Sequence, residues 1–143
     1  MYIKLSGNQI TNFPYSLGDL QLEHANVSFP KPVPEAVLAE YGVYKVHSTP
    51  APSFDAYVET LRQALPELQV GRWEQSWRVT RLEQSVAERN VRARRDGLLS
   101  DSDWTQVADA PVDQAAWAVY RQALRDITDQ EGFPYSVNWP TAP

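Results

Sequence analysis

The stretch Gly71-Arg-Trp-Glu-Gln-Ser-Trp-Arg-Val-Thr-Arg81-Leu-Glu83-Gln-Ser-Val-Ala-Glu-Arg-Asn-Val-Arg-Ala-Arg-Arg95-Asp changes its period half-way along, and the fold turns on that change. Up to Arg81, residues Trp73, Gln75, Trp77 and Val79 fall on one side at period two, the mark of a strand. Such a strand takes an antiparallel neighbour across the Gly71 turn, so residues 56–70 and 72–81 read as one long hairpin. Val58, Leu61 and Leu65 also fit a helix face, but the tryptophan strand decides for the hairpin. From Glu83 no proline or glycine intervenes until Gly97, and the pattern becomes helical. The apolar stripe of that helix is thin, with Val86, Ala93 and Asn90, while Arg89, Arg92 and Arg95 crowd another side. A helix so polar has three outlets: it projects, packs on the acidic helix that follows, or packs on another chain.

Toward the N-terminus, Ile3 and Leu5 alternate with Tyr2, Lys4 and Ser6, and Gly7-Asn8 separates this run from Gln9-Ile10-Thr11 as the turn of a small hairpin. Phe13-Pro14-Tyr15 is expected to end it, because proline cannot donate to a ladder. Ser16 is a candidate N-cap for a short helix reaching Ala25. Ser28 to Pro34 carries three prolines at alternate positions and reads as an extended strip. A second short helix, Glu35 to Tyr41, turns Val37, Leu38 and Tyr41 inward, Gly42 closes it, and Val43 to His47 alternates as a strand. Ser48-Thr-Pro-Ala-Pro52 is a connector.

Toward the C-terminus, Leu98-Leu99 is expected to end the Arg-rich helix, and Asp101 to Asp103 and Asp109 to Pro111 to cap a loop holding Trp104. A last helix, Val112 to Thr128, carries Trp117, Tyr120, Leu124 and Ile127 as one stripe flanked by Arg121 and Arg125. Asp129 to Pro134 breaks it, and Tyr135 to Trp139 runs extended. The fold class is therefore α+β: a small antiparallel β body with short helices, then a C-terminal helical hairpin and extended tail. Two regions are expected, a mainly β module with two short helices over 1–81 and a helical region over 82–143.

A chain of 143 residues suits one domain, or a small domain with a helical appendage. No apolar run is long enough for a membrane span, the first residues contain no signal-peptide stretch, and the protein is expected to stay in the cytosol where it is made. The absence of cysteine removes disulfides, thiol catalysis and cysteine zinc sites together. A net charge of −5 argues against nucleic-acid binding. The charge is uneven: residues 78–99 hold six Arg against three acids, residues 100–143 seven acids against two Arg. A basic helix followed by an acidic one is expected to pack intramolecularly, with a partner-facing basic surface as the alternative.

Catalytic chemistry has little to stand on. His24 and His47 stand alone, and Asp96, Asp101 and Asp103 lack both the spacing and the closing Glu of a calcium loop. No phosphate loop, nucleophile elbow or zinc-helix motif occurs. The Arg cluster lacks the interleaved aromatics of a base-stacking surface. No enzyme, cofactor, metal, nucleic acid or membrane is expected, and most of the aromatics read as core.

The C-terminal blocks nevertheless form a specific series: Arg92 to Leu99, Asp103-Trp-Thr-Gln106, Asp109-Ala-Pro111, Trp117 to Asp126, Gly132-Phe-Pro134 and Trp139-Pro140. This order resembles the C-terminal region of the phage tail assembly chaperones. Phe13 to Gly18, Ser28 to Pro30 and Leu38 to Tyr44 are similar to an N-terminal module found with the same tail proteins. The resemblance implies a tail fibre assembly chaperone that binds a trimeric tail fibre protein, and other tail or baseplate proteins, in the host cytoplasm without catalysis. Arg92, Arg95, Trp104, Trp117, Tyr120, Arg121 and Trp139 are the partner-binding candidates on that reading, and the β body is a place where a client strand would add. The alternative it leaves open is a permanent component of the virion fibre or baseplate.

Overall fold

The computed structural model describes residues 1–143 and is α+β, with a five-stranded, mostly antiparallel sheet and four helices. The strands are β1 (Tyr2–Ser6), β2 (Gln9–Tyr15), β3 (Val43–His47), β4 (Glu59–Gln69) and β5 (Arg72–Arg81), in the spatial order β2-β1-β3-β5-β4. The helices are α1 (Leu17–Glu23), α2 (Glu35–Glu40), α3 (Gln84–Asp101) and α4 (Gln114–Arg125), with the last two forming the C-terminal hairpin. Chain contacts divide these elements into two compact units, one of residues 1–52 and 62–78, the other of residues 53–61 and 79–143.

In the first unit, β1 pairs antiparallel with β2 and with β3, and β3 pairs parallel with β5 at Val46↔Trp73 and His47↔Glu74. The Gly7-Asn8 turn forms as expected, but the strand does not stop at Phe13. It runs through Pro14 to Tyr15, because β2 is an outermost strand where a missing N–H costs no ladder bond, and two register shifts against β1 absorb the extra residues. Ser16 caps α1 with a full capping box: its hydroxyl accepts from the Asp19 N–H, and its own N–H donates to the Asp19 carboxylate at 2.8 Å. That helix ends at Glu23, short of Ala25.

Leu20, Phe29, Leu38, Val43 and Tyr15 form this unit's core, with Val37 and Tyr41 packed against it. Gly42 follows α2 at φ +70, its carbonyl accepts from the Leu5 N–H, and a Cβ there would meet the Leu5 carbonyl oxygen at 2.6 Å. The connector after β3 is tied to β5, where Thr49 Oγ1 donates to the Gln75 carbonyl and Trp77 Nε1 donates to that of Thr49.

The long hairpin forms with its turn at Val70-Gly71, both at positive φ as a two-residue hairpin turn demands. Its first strand begins at Glu59, not at residue 56, because residues 56–58 form a turn that places Val58 in the core of the second unit. There Val58 joins Ala87 and Val91 of α3, Tyr120 and Leu124 of α4, and Ile127, with Leu98 and Leu99 packed alongside.

Two expectations for α3 are corrected. It continues through Gly97 to Asp101, since the apolar step at Leu98-Leu99 packs on the core instead of ending the helix. Its inward face is Ala87, Val91 and Leu98, spaced by four and seven residues, while Ala93 is exposed. The last helix begins later than expected, with Asp113 as its N-cap, and passes into a 3-10 turn at Asp126–Asp129.

Candidate functional site

The α3–α4 corner brings four of the predicted residues together. Ser102 ends α3, and Asp103–Gln106 form a single 3-10 turn that leaves Trp104 51% exposed. The Trp104 and Trp117 rings lie 6.3 Å apart, and Trp117 meets Tyr120 edge-on at 5.5 Å. Because Tyr120 is buried and Trp117 half-buried, the aromatic row leads from the core to the surface. Val107, also exposed, follows the same turn and is bonded back through its N–H to the Trp104 carbonyl.

Arg121 fixes this corner. It is 9% exposed, and its guanidinium donates to the Leu99 carbonyl at 2.6 Å, the Ser102 hydroxyl at 2.8 Å and the Asp103 carboxylate at 2.6 Å. The planar fork of arginine suits three acceptors arrayed around a helix end. Arg121 thereby ties the end of α3 and the following turn, which carries Trp104, to α4. Thr105, fully buried, adds a bond from its hydroxyl to the Ser102 carbonyl at 2.6 Å.

The other candidates lie along α3 and the C-terminal tail. Arg92 sits over the Phe133 ring at 5.1 Å and pairs with Glu88 one turn back; that ion pair, with a hydrogen bond from Gln84, holds the Glu88 carboxyl below its usual range. Arg95 pairs with its neighbour Asp96. Trp139 lies under Arg94, whose guanidinium is 4.2 Å from its ring and 4.7 Å from that of Tyr57. Arg81 likewise covers Tyr135, whose hydroxyl donates to the Leu82 carbonyl at 2.7 Å.

Of the four arginines of α3, Arg92 and Arg94 lie on aromatic faces of the returning tail, Arg92 and Arg95 pair with acids of α3 itself, and no ion pair joins any of them to an acid beyond residue 99. Arg94 was missing from the candidates; its spacing of four from Asn90, which donates to the Tyr57 carbonyl, is the signal that both meet residue 57. The tail needs Gly132, because a Cβ there would stand 2.2 Å from the Ser136 carbonyl oxygen across the turn.

No group of three or more His, Asp or Glu side chains is placed to hold a metal ion, and His24 rests edge-on against Tyr41. No helix is long and apolar enough to cross a membrane.

The whole corner, from Ser102 to Arg121, and the tail after it fall within one continuous segment, while Tyr57, Arg81, Leu82 and Gln84, which touch the tail or α3, lie before it. Residues 88–143 match the family of phage tail assembly chaperone proteins. The match runs from the second turn of α3 through the Trp104 turn, α4 and the tail. It covers the C-terminal blocks from Arg92 to Pro140; the blocks between Phe13 and Tyr44 lie outside it. Neither the curated proteins nor the solved structures include a match to the chain.

Proposed function

We propose that this chain is a tail fibre assembly chaperone, which binds a tail fibre protein without catalysis and assists its folding and trimerisation inside the host cell. The observation that carries the proposal is the coincidence of the chaperone match with a rigidly presented aromatic corner. Trimeric fibres are rich in non-local β pairing, so their chains fold slowly and leave strand edges and apolar surface open for long periods. A half-exposed tryptophan at the end of an ordered aromatic row offers such a surface contact area at low entropic cost. Trp104, Trp117 and Val107 make the contact; Tyr120 and Arg121 support it from below.

Arg92, Arg95 and Trp139 lie on the flank formed by α3 and the tail and extend the contact there. Co-purification of a tagged tail fibre protein with the chain tests this assignment. Trp104→Ser is expected to weaken co-elution by about tenfold, the equivalent of roughly 1.4 kcal/mol, while leaving the chaperone's own melting temperature unchanged. Undiminished co-elution of that variant overturns the role given to the corner. Recovery of the chain from washed, finished particles supports instead the reading of a permanent virion component.

A further inference from the structure

The first unit contains a groove that the chaperone match does not reach, and it is a built surface in its own right. A cavity of about 810 Å3 is lined by residues 8–10, by residues 62–67 of β4, and by Trp73 and Arg78 of β5. Side chains of a strand alternate between its two faces, so a wall made of six consecutive residues includes the strand's free edge as well as one face. Both β2 and β4 are outermost in the sheet, and both border this one cavity. Leu65, on the β4 wall, is 60% exposed.

The charge at the groove is one-sided. Arg62 and Arg78 are exposed and take part in none of the molecule's ion pairs. The one carboxylate present, Glu67, instead accepts from the Ser76 hydroxyl at 3.0 Å. Two unmatched guanidiniums beside exposed apolar side chains, on a chain of net charge −5, fit carboxylates next to small apolar groups.

The geometry points to a second binding surface here, which takes an extended acidic segment of a partner protein. The carboxylates of the segment meet Arg62 and Arg78, and its alternate apolar side chains lie on Leu65, Ile10 and Trp73. Pro66 stands on the free edge without an N–H, which interrupts any long added ladder, so the side chains and not the backbone set the preference. The site is independent of the client-binding reading of residues 88–143.

Fluorescence anisotropy with a short labelled peptide alternating Asp and Val, and with its Lys-for-Asp counterpart, tests it on the full chain. The acidic peptide is expected to bind, the basic one not, and Arg62→Glu with Arg78→Glu to reverse the order, each change being about tenfold or more. The milder pair Arg62→Gln and Arg78→Gln keeps the test valid if charge reversal disturbs folding, and is expected to lose the acidic peptide without gaining the basic one. Equal binding of the two peptides, or affinity unchanged in both variants, overturns the proposal. So does a wild-type dimer that the variants dissolve, which would assign the groove to a second copy. Tighter binding of a single-stranded oligonucleotide than of the acidic peptide would assign it to nucleic acid and equally overturn the proposal.

Discussion

Replacing Arg121 with Ala leaves the Leu99 carbonyl, the Ser102 hydroxyl and the Asp103 carboxylate without their shared donor at a helix end. The expected loss in urea unfolding is about 2–3 kcal/mol, the range for a charged hydrogen-bond centre with one solvent-reachable partner. Arg121→Lys is expected to recover less than half of it, because an ammonium cannot reach three acceptors arranged for a fork. In the sequence Arg121 flanks the α4 stripe and was taken as a partner-binding candidate. Nothing in the spacing of charges tells an enclosed arginine from an exposed one; the acceptors it needs come from the end of another helix.

At the same scale, Asp19 gives a pH signature. The Ser16 hydroxyl and then the Ser16 N–H donate to its carboxylate and hold its pKa below the ordinary value. A depressed folded pKa contributes stability that is fully present above the unfolded value of about 3.9 and is lost as the pH falls through the lower folded value. Asp19→Asn is therefore expected to lower the melting temperature at neutral pH and to leave it nearly unchanged at the acid end, which flattens the acid limb of the curve of melting temperature against pH.

Among the elements, α3 is the most instructive. Its existence and its arginine face were legible from residues 83–96, yet its length was not, because Gly97 carries the same symbol whether it stops a helix or lies inside one. Leu98 and Leu99 resolve the choice by finding apolar partners around Leu124 and Ile127, which sequence alone does not locate. Gly97 has open space where a Cβ would stand and no left-handed φ, so Gly97→Ala is expected to stabilise the protein by about 0.5–1 kcal/mol in thermal or urea unfolding.

The tail shows a related limit. Trp139 was a partner-binding candidate, and the structure folds it under Arg94. The two contributions can be separated by double-mutant analysis: Trp139→Ala is expected to cost about 2 kcal/mol through lost packing, and Arg94→Ala about 0.5–1 kcal/mol through lost cation–π contact. A coupling near zero between the two would show that the stacked geometry carries no energy of its own. The long hairpin was read correctly in kind from Trp73, Gln75, Trp77 and Val79, while Val58 was assigned to a strand and instead turns into the helical core.

For the whole molecule, the α+β architecture and the helical C-terminal hairpin followed from where the period changes, and the resemblance to the phage tail assembly chaperones rested on ordered blocks in the last fifty or so residues, where the family match also falls, not on charge or composition. The uneven charge, basic over residues 78–99 and acidic after them, was read as two helices packing on each other; they do pack, but through Ala87, Val91, Tyr120 and Leu124, and Arg92 and Arg94 lie on aromatic rings. On the proposed reading the aromatic corner is the client surface, on a chain of net charge −5.

The yield of soluble tail fibre trimer, measured by size exclusion after co-expression of the fibre protein with and without this chain, tests that account most directly. The account predicts soluble trimer that depends on the chain and falls when Trp104 is replaced by Ser. An equal yield of trimer from the fibre protein expressed alone would contradict it.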